Sequence, residues 1–209
     1  MFENTSSEQP DLTVIDMVSP KGSGTDVWHA DSTFMREPPL GAVLRAVQIP
    51  AVGGDTCFAS MYAAYDALSP SMQRQLDGLT AIHSTAHVMA LVRRLDNATV
   101  KTSSEDIPTV THPVVRVHPE TGRKLLFVSS NWVERIVELD EAESTALLNF
   151  LYEHVKTPEF QCRFRWDVNS VAFWDNRACQ HYAVADYDER RVMHRVLLAG
   201  DRPYGPEAA

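Results

Sequence analysis

Only one stretch of this chain holds helical periodicity over a useful length: LDEAESTALLNFLYEHVK, residues 139–156. Asp140 stands at the N-cap position, acidic residues follow in the first turn, and apolar residues recur at helical spacing. Almost everything else is short apolar runs cut by turn residues. GAVLRAVQI (41–49), GGDTCFAS (53–60), QCRFRW (161–166), SVAFWDN (170–176) and RRVMHRVLLAG (190–200) read as strands. HPVVRVH and KLLFVSS flank PETGR, which is hairpin chemistry. Two short helices are expected, MYAAYDALS and a second opened by Pro70. Many short strands with helices grouped between them predict a mainly β fold, an antiparallel sandwich or barrel with helical decoration.

The expected layout is a polar segment over 1–26 with one short strand (LTVIDMV), one domain over 27–204, and a tail at 205–209. Residues 84–111 are polar enough for a lid-like loop region. With 209 residues, 44% of them hydrophobic, one sizeable core is available. No run nears the roughly 18 apolar residues of a membrane helix, so no membrane partner is expected. A net charge of −9 argues against nucleic acid. The start, MFENTSSEQP, lacks the basic and apolar regions of a signal peptide. Three widely spaced cysteines and no CxxC pair point to a reducing, cytoplasmic setting without thiolate zinc. The expected assembly is a homo-oligomer.

The chemistry gathers around WHADSTF, residues 28–34. If this stretch is extended, His29 and Asp31 point the same way. They are then part of a metal site or simply a hydrogen-bonded polar pair. His181, in FWDNRACQHYAVADY, follows the strand ending at WDN and supplies a candidate third ligand. Two histidines and a carboxylate on one face suit non-haem Fe(II) and leave positions open for other ligands. His83, His87, His112, His118, His154 and His194 are expected at the surface, in loops or as hydrogen-bond partners in the core. In RRVMHRV, Arg191, Met193 and Arg195 share one strand face. If that face is inward, two guanidiniums require anionic partners, from the chain or from ligands. Arginine's planar fork suits a carboxylate or sulfonate.

Taken together, WHADSTF, GGDTCFASMYAAYDALS, HPVVRVHPETGRKLLFV, FWDNRACQHYAVADY and RRVMHRVLLAGDRP resemble the taurine dioxygenase family of Fe(II)/2-oxoglutarate oxygenases, over roughly residues 12–204. The resemblance implies a double-stranded β-helix, or jelly-roll. It implies Fe(II) held by His29, Asp31 and His181, with O2 as co-reactant. It implies 2-oxoglutarate as co-substrate, its far carboxylate on Thr56 and Arg191. It assigns Arg195 to the anionic group of a small organic substrate, with Trp132, Ser32 and Met89 as further substrate contacts. The implied reaction is hydroxylation beside a sulfonate or sulfate ester, releasing sulfite or sulfate. The alternatives are the same chemistry on a carboxylate such as an aryloxyacetate, and an inactive jelly-roll that binds metal or small anions. The family usually carries a further N-terminal segment, so an N-terminally shortened jelly-roll is expected.

Overall fold

A computed structural model describes residues 4–5, 11–18, 25–86 and 109–206. In chain order its elements are β1 (Asn4–Thr5), β2 (Thr13–Met17), β3 (Gly41–Gln48), β4 (Thr56–Ser60), α1 (Met61–Asp66), α2 (Pro70–Leu76) and β5 (Thr80–Ser84). Then follow β6 (Thr109–Pro113), β7 (Val115–Val117), β8 (Lys124–Leu126), β9 (Val133–Ile136) and α3 (Glu141–Val155). A single 3₁₀ turn (Pro158–Phe160), β10 (Gln161–Phe164), β11 (Val171–Asp175), β12 (Cys179–Ala183) and β13 (Arg191–Leu198) complete it. A five-stranded sheet in the order β1-β2-β13-β3-β11 faces a three-stranded sheet, β10-β4-β12, and both are antiparallel. The architecture is the expected jelly-roll.

Local chemistry explains the elements. Asp140 caps α3 in a full capping box, its side chain accepting from the Glu143 amide while Glu143 reaches back to the Asp140 amide. Ser60 and Ser69 cap α1 and α2, and Pro70 sits in the first turn of α2, where no amide is needed. The β7–β8 hairpin turns through Gly122 at φ 66°. Along β3, Ala42, Leu44 and Ala46 are buried and Arg45 is exposed, the alternation of a half-buried strand.

The β13 register positions the site. Against β2 it pairs without a break, from Arg191↔Met17 to Arg195↔Thr13. Against β3 the partner jumps from Gln48 to Ala46 between Val192 and Met193, so the irregularity lies in β3. β13 therefore keeps its period of two. Met193 is fully buried inside the barrel with Ala42, Leu44, Ala46, Trp166 and Trp174. Arg191 and Arg195 share its face.

A second, larger core lies outside the barrel. There α1 packs on β8 and α3 on β9, and Leu125, Leu126, Ile136 and Leu151 are fully buried. Among the described residues no helix is long and apolar enough to cross a membrane.

Candidate metal centre and anion clamps

Residues 27–34 do not form the extended run that would align His29 and Asp31 by alternation. Only His29 makes a bridge, to His181 on β12. Its amide donates to the His181 carbonyl at 3.0 Å, and the His181 amide donates back at 2.8 Å. The chain then turns at once over residues 31–34, with Ser32 left-handed at φ 51°. The turn, not the strand period, swings the Asp31 carboxylate back toward His29. His181 follows the WDN strand, β11, as expected, but it sits within a strand of its own, β12, paired with Phe58 of β4. The strand is hard to read because Gln180 and His181, facing opposite sides, are both buried.

The result is a buried cluster of two imidazoles and one carboxylate. His29 Nε2 is 3.8 Å and His181 Nε2 3.9 Å from the same Asp31 oxygen, and all three ligand atoms lie within 4.8 Å of one another. One ion can be shared by all three. His29 Nδ1 is 2.8 Å from the Val27 carbonyl. A carbonyl only accepts, so Nδ1 carries a proton there, which leaves Nε2 as the ring atom for a metal. Burial, and then the neighbouring His29, push His181 down to about 3, so its ring is neutral at pH 7. Burial acts to raise Asp31, but His181, Arg195 and His29 together hold it below the ordinary carboxylate value. The guanidinium in that set is Arg195. Its Nη1 lies 3.3 and 3.4 Å from the two Asp31 oxygens.

Asn176, which the sequence reading did not single out, holds the Asp31 backbone from both sides. The Asp31 amide donates to Asn176 Oδ1 at 2.8 Å. Asn176 Nδ2 donates to the Asp31 carbonyl at 3.0 Å and to the Pro39 carbonyl at 3.2 Å. The flanking residues anchor this turn, since Arg177 pairs with Asp175 at 2.7 Å and His118 meets Asp175 at 2.9 Å. Trp132 spends its indole N–H on the Ala30 carbonyl at 2.7 Å and packs on Phe34. It braces the ligand loop, as does Thr33, whose hydroxyl meets His83 Nδ1 at 2.9 Å. Ser32 is half-buried at the tip of the turn. Met89 and His87 lie outside the described residues, as do 87–108 of the expected lid. His112 bonds the Met35 carbonyl and His154 the Ala64 carbonyl, as core partners.

A second feature lies nearby on β4 and β13. Arg191 is buried, and among the described residues its Nε and Nη2 have no hydrogen-bond partner. These two groups form one edge of the guanidinium, the edge that meets a carboxylate bidentately. Burial pulls this guanidinium below its ordinary value, while Tyr187 and Asp55 act the other way. Gly54, at φ 74°, makes the room, because a Cβ there would come within 3.2 Å of Arg191 Cδ. Thr56 is buried, and Trp166 touches both residues. Its Nε1 is 3.0 Å from Thr56 Oγ1, and its ring centroid is 6.0 Å from Arg191 Cζ. An open, charged donor edge in a dry site fits the far carboxylate of a small dicarboxylate.

A jelly-roll with a two-histidine, one-carboxylate cluster and inward arginines is a scaffold able to hold one metal ion beside small anions. The model of the "Taurine catabolism dioxygenase TauD, TfdA family" matches residues 1–197, and the chain belongs to this family. It is 37% identical over 198 residues to an alkylsulfatase of Acinetobacter baylyi, covering 90% of this chain and 61% of that one. It is 39% identical over 191 residues to an alpha-ketoglutarate-dependent sulfate ester dioxygenase of Pseudomonas putida, covering 88% of this chain and 63% of that one. A crystal structure of a taurine dioxygenase from Burkholderia xenovorans superposes with a TM-score of 0.79 at 36% identity, covering 98% of this chain and 67% of that one. The chain thus spans about three fifths of the length of these curated relatives.

Proposed function

We propose that this chain is the core of an Fe(II)- and 2-oxoglutarate-dependent dioxygenase that oxidises a small anionic sulfate ester or sulfonate. The observation that carries the reading is the pairing of the His29–Asp31–His181 cluster with the open donor edge of buried Arg191. Likeness to an alkylsulfatase and a sulfate ester dioxygenase favours the sulfate ester. The odd cysteine set supports a cytoplasmic setting.

His29, Asp31 and His181 would hold the iron, their lone pairs fixed by the Val27 carbonyl, by Asn176 and by burial. Bound there, iron supplies the redox chemistry by which O2 and 2-oxoglutarate become succinate and CO2 while one oxygen atom enters a substrate C–H bond. Arg191 and Thr56 hold the far carboxylate of 2-oxoglutarate. Arg195 takes the substrate's anionic group, and its nearness to Asp31 keeps that group close to the centre. Hydroxylation at the carbon bearing a sulfate gives an unstable hemiacetal ester. Its carbon–oxygen bond breaks, sulfate leaves with the electron pair, the hydroxyl proton passes to water, and an aldehyde remains.

The test is a panel of alkyl sulfates, alkyl sulfonates and aryloxyacetates incubated with Fe(II), 2-oxoglutarate and air, scored for succinate and released sulfate or sulfite. Wild type should turn over an anion of this panel, with sulfate esters best. His181→Ala should lose turnover together with the weak visible band that Fe(II) and 2-oxoglutarate form without oxygen. If that band and the iron affinity survive in His181→Ala, the ligand set is wrong.

A further inference from the structure

We propose that Trp166 is a positioning residue of the carboxylate clamp, fixing the Thr56 hydroxyl as a donor toward the carboxylate that Arg191 holds. This rests on the reading of Thr56 and Arg191 given above. The argument is one of proton accounting. An indole N–H can only donate, so in the 3.0 Å contact Thr56 Oγ1 must accept. The hydroxyl proton of Thr56 then has to go elsewhere. Among the described residues, no acceptor receives it, although Thr56 is buried. A buried donor without an acceptor is costly, as is a buried guanidinium edge without one. Both sit around one tryptophan, which itself is buried and packed edge-on against Phe164.

Without the indole N–H, the hydroxyl could rotate to donate or accept at no loss. With it, one lone pair is taken and the hydroxyl proton is turned away from the indole, so Thr56 presents its O–H beside the Arg191 N–H groups. That favours a fully ionised carboxylate, which accepts on both oxygens. Trp166 lies two residues past the end of β10, and its hydrogen-bond and ring contacts among the described residues are with Thr56, Arg191 and Phe164, none of them in the metal cluster.

The experiment is a double-mutant cycle on the dissociation constant of 2-oxoglutarate from Co(II)-loaded protein, read by calorimetry. Thr56→Val should weaken binding roughly 10- to 100-fold, since it removes a hydrogen bond to a charged group. Trp166→Phe should weaken it roughly three- to tenfold by unfixing the hydroxyl. The double variant should match Thr56→Val within about twofold, because a positioning residue loses its effect when its target is gone. Co(II) affinity should stay unchanged in Trp166→Phe. Equal losses from Trp166→Phe with and without the Thr56 hydroxyl would overturn the inference and make Trp166 a packing partner of Arg191. No loss in Thr56→Val would instead overturn the clamp reading itself. If Trp166→Phe does not fold, Trp166→His keeps a ring donor and Thr56→Ser keeps the hydroxyl. Both should then bind within about threefold of wild type, and a tenfold loss in Thr56→Ser would refute the hydroxyl's role.

Discussion

Between α1, α3 and the β7–β8 hairpin, Leu125, Leu126, Ile136 and Leu151 are buried against other apolar side chains. Inside the barrel, Ala46 and Met193 are buried as completely, but they share the space with Thr56, His181 and Arg191. The outer core is mostly apolar, although Arg116 Nε and Nη1 and His83 Nε2 are buried there without partners among the described residues, and Arg116 Nη2 pairs with Asp201 at 2.6 Å. In the barrel interior the polar share is larger, and Arg191 Nε and Nη2 and His181 Nδ1 are buried without partners among the described residues. Apolar burial of the first kind stabilises the fold. Polar burial of the second kind destabilises it until a ligand arrives. The outer core thus carries the stability that lets the barrel keep unsatisfied donors.

Two substitutions should therefore pull in opposite directions. Leu151→Ala should cost about 2–5 kcal/mol of stability, through lost transfer energy and a cavity. Its affinity for 2-oxoglutarate, measured well below the melting temperature, should be unchanged. Arg191→Met should raise the stability of the metal-free protein by about 1–4 kcal/mol, because it replaces a buried charge that Tyr187 and Asp55 only partly offset with an apolar chain of similar length. It should also lower 2-oxoglutarate affinity roughly 30- to 150-fold, the loss of a charge-assisted bidentate contact. Urea melts and calorimetry on the same two proteins decide the matter. If Arg191→Met destabilises the metal-free protein, Arg191 is satisfied within the chain and the contrast fails.

The same contrast explains how far the sequence could be read. Strands of the outer sheet faces and α3 were legible because one face is apolar and the other polar, as with Ala42, Leu44 and Ala46 against Arg45. The cluster residues were legible as chemistry, from the HxD pair and a distant histidine among long matching anchors. Their geometry was not. Asp31 comes round on a tight turn where alternation along a strand was expected, and β12 hides because residues on both its faces are buried. Asn176 and Trp166 escaped notice for a different reason. Their partners are 145 and 110 residues away, and no local pattern reports such contacts.

Asn176 sits at the seam between the two regions and sharpens the comparison. Its amide satisfies both the N–H and the carbonyl of Asp31, so Asn176→Ala should loosen the turn that aims the carboxylate. Residues that orient metal ligands typically contribute 10- to 100-fold in metal affinity, and roughly that loss is expected for Co(II). The melting temperature of the metal-free protein should fall less than in Leu151→Ala. A variant that loses stability but binds Co(II) as wild type would place Asn176 with the outer core instead.

The smallest effect concerns His83, a polar group enclosed on the apolar side of the seam. Its ring is fully buried, stacks on Phe127, and meets Thr33 through Nδ1, while Nε2 has no partner among the described residues. Burial, and then His112, push it down to about 3. The native state therefore refuses a proton that the unfolded chain accepts near pH 6.5. By linkage this term is fully present above about pH 6.5 and falls as the pH drops toward 3, at roughly 1.4 kcal/mol per unit. Asp31, held low, keeps its own contribution down to the ordinary carboxylate range and loses it only below, so the two windows separate. The measurement is the urea-derived stability of metal-free wild type and His83→Gln between pH 7 and 5. His83→Gln should be less stable at pH 7, yet its stability should fall with a slope shallower by about one proton. Equal slopes in the two proteins would mean that His83 takes up its proton without unfolding, and that this part of the core opens to water.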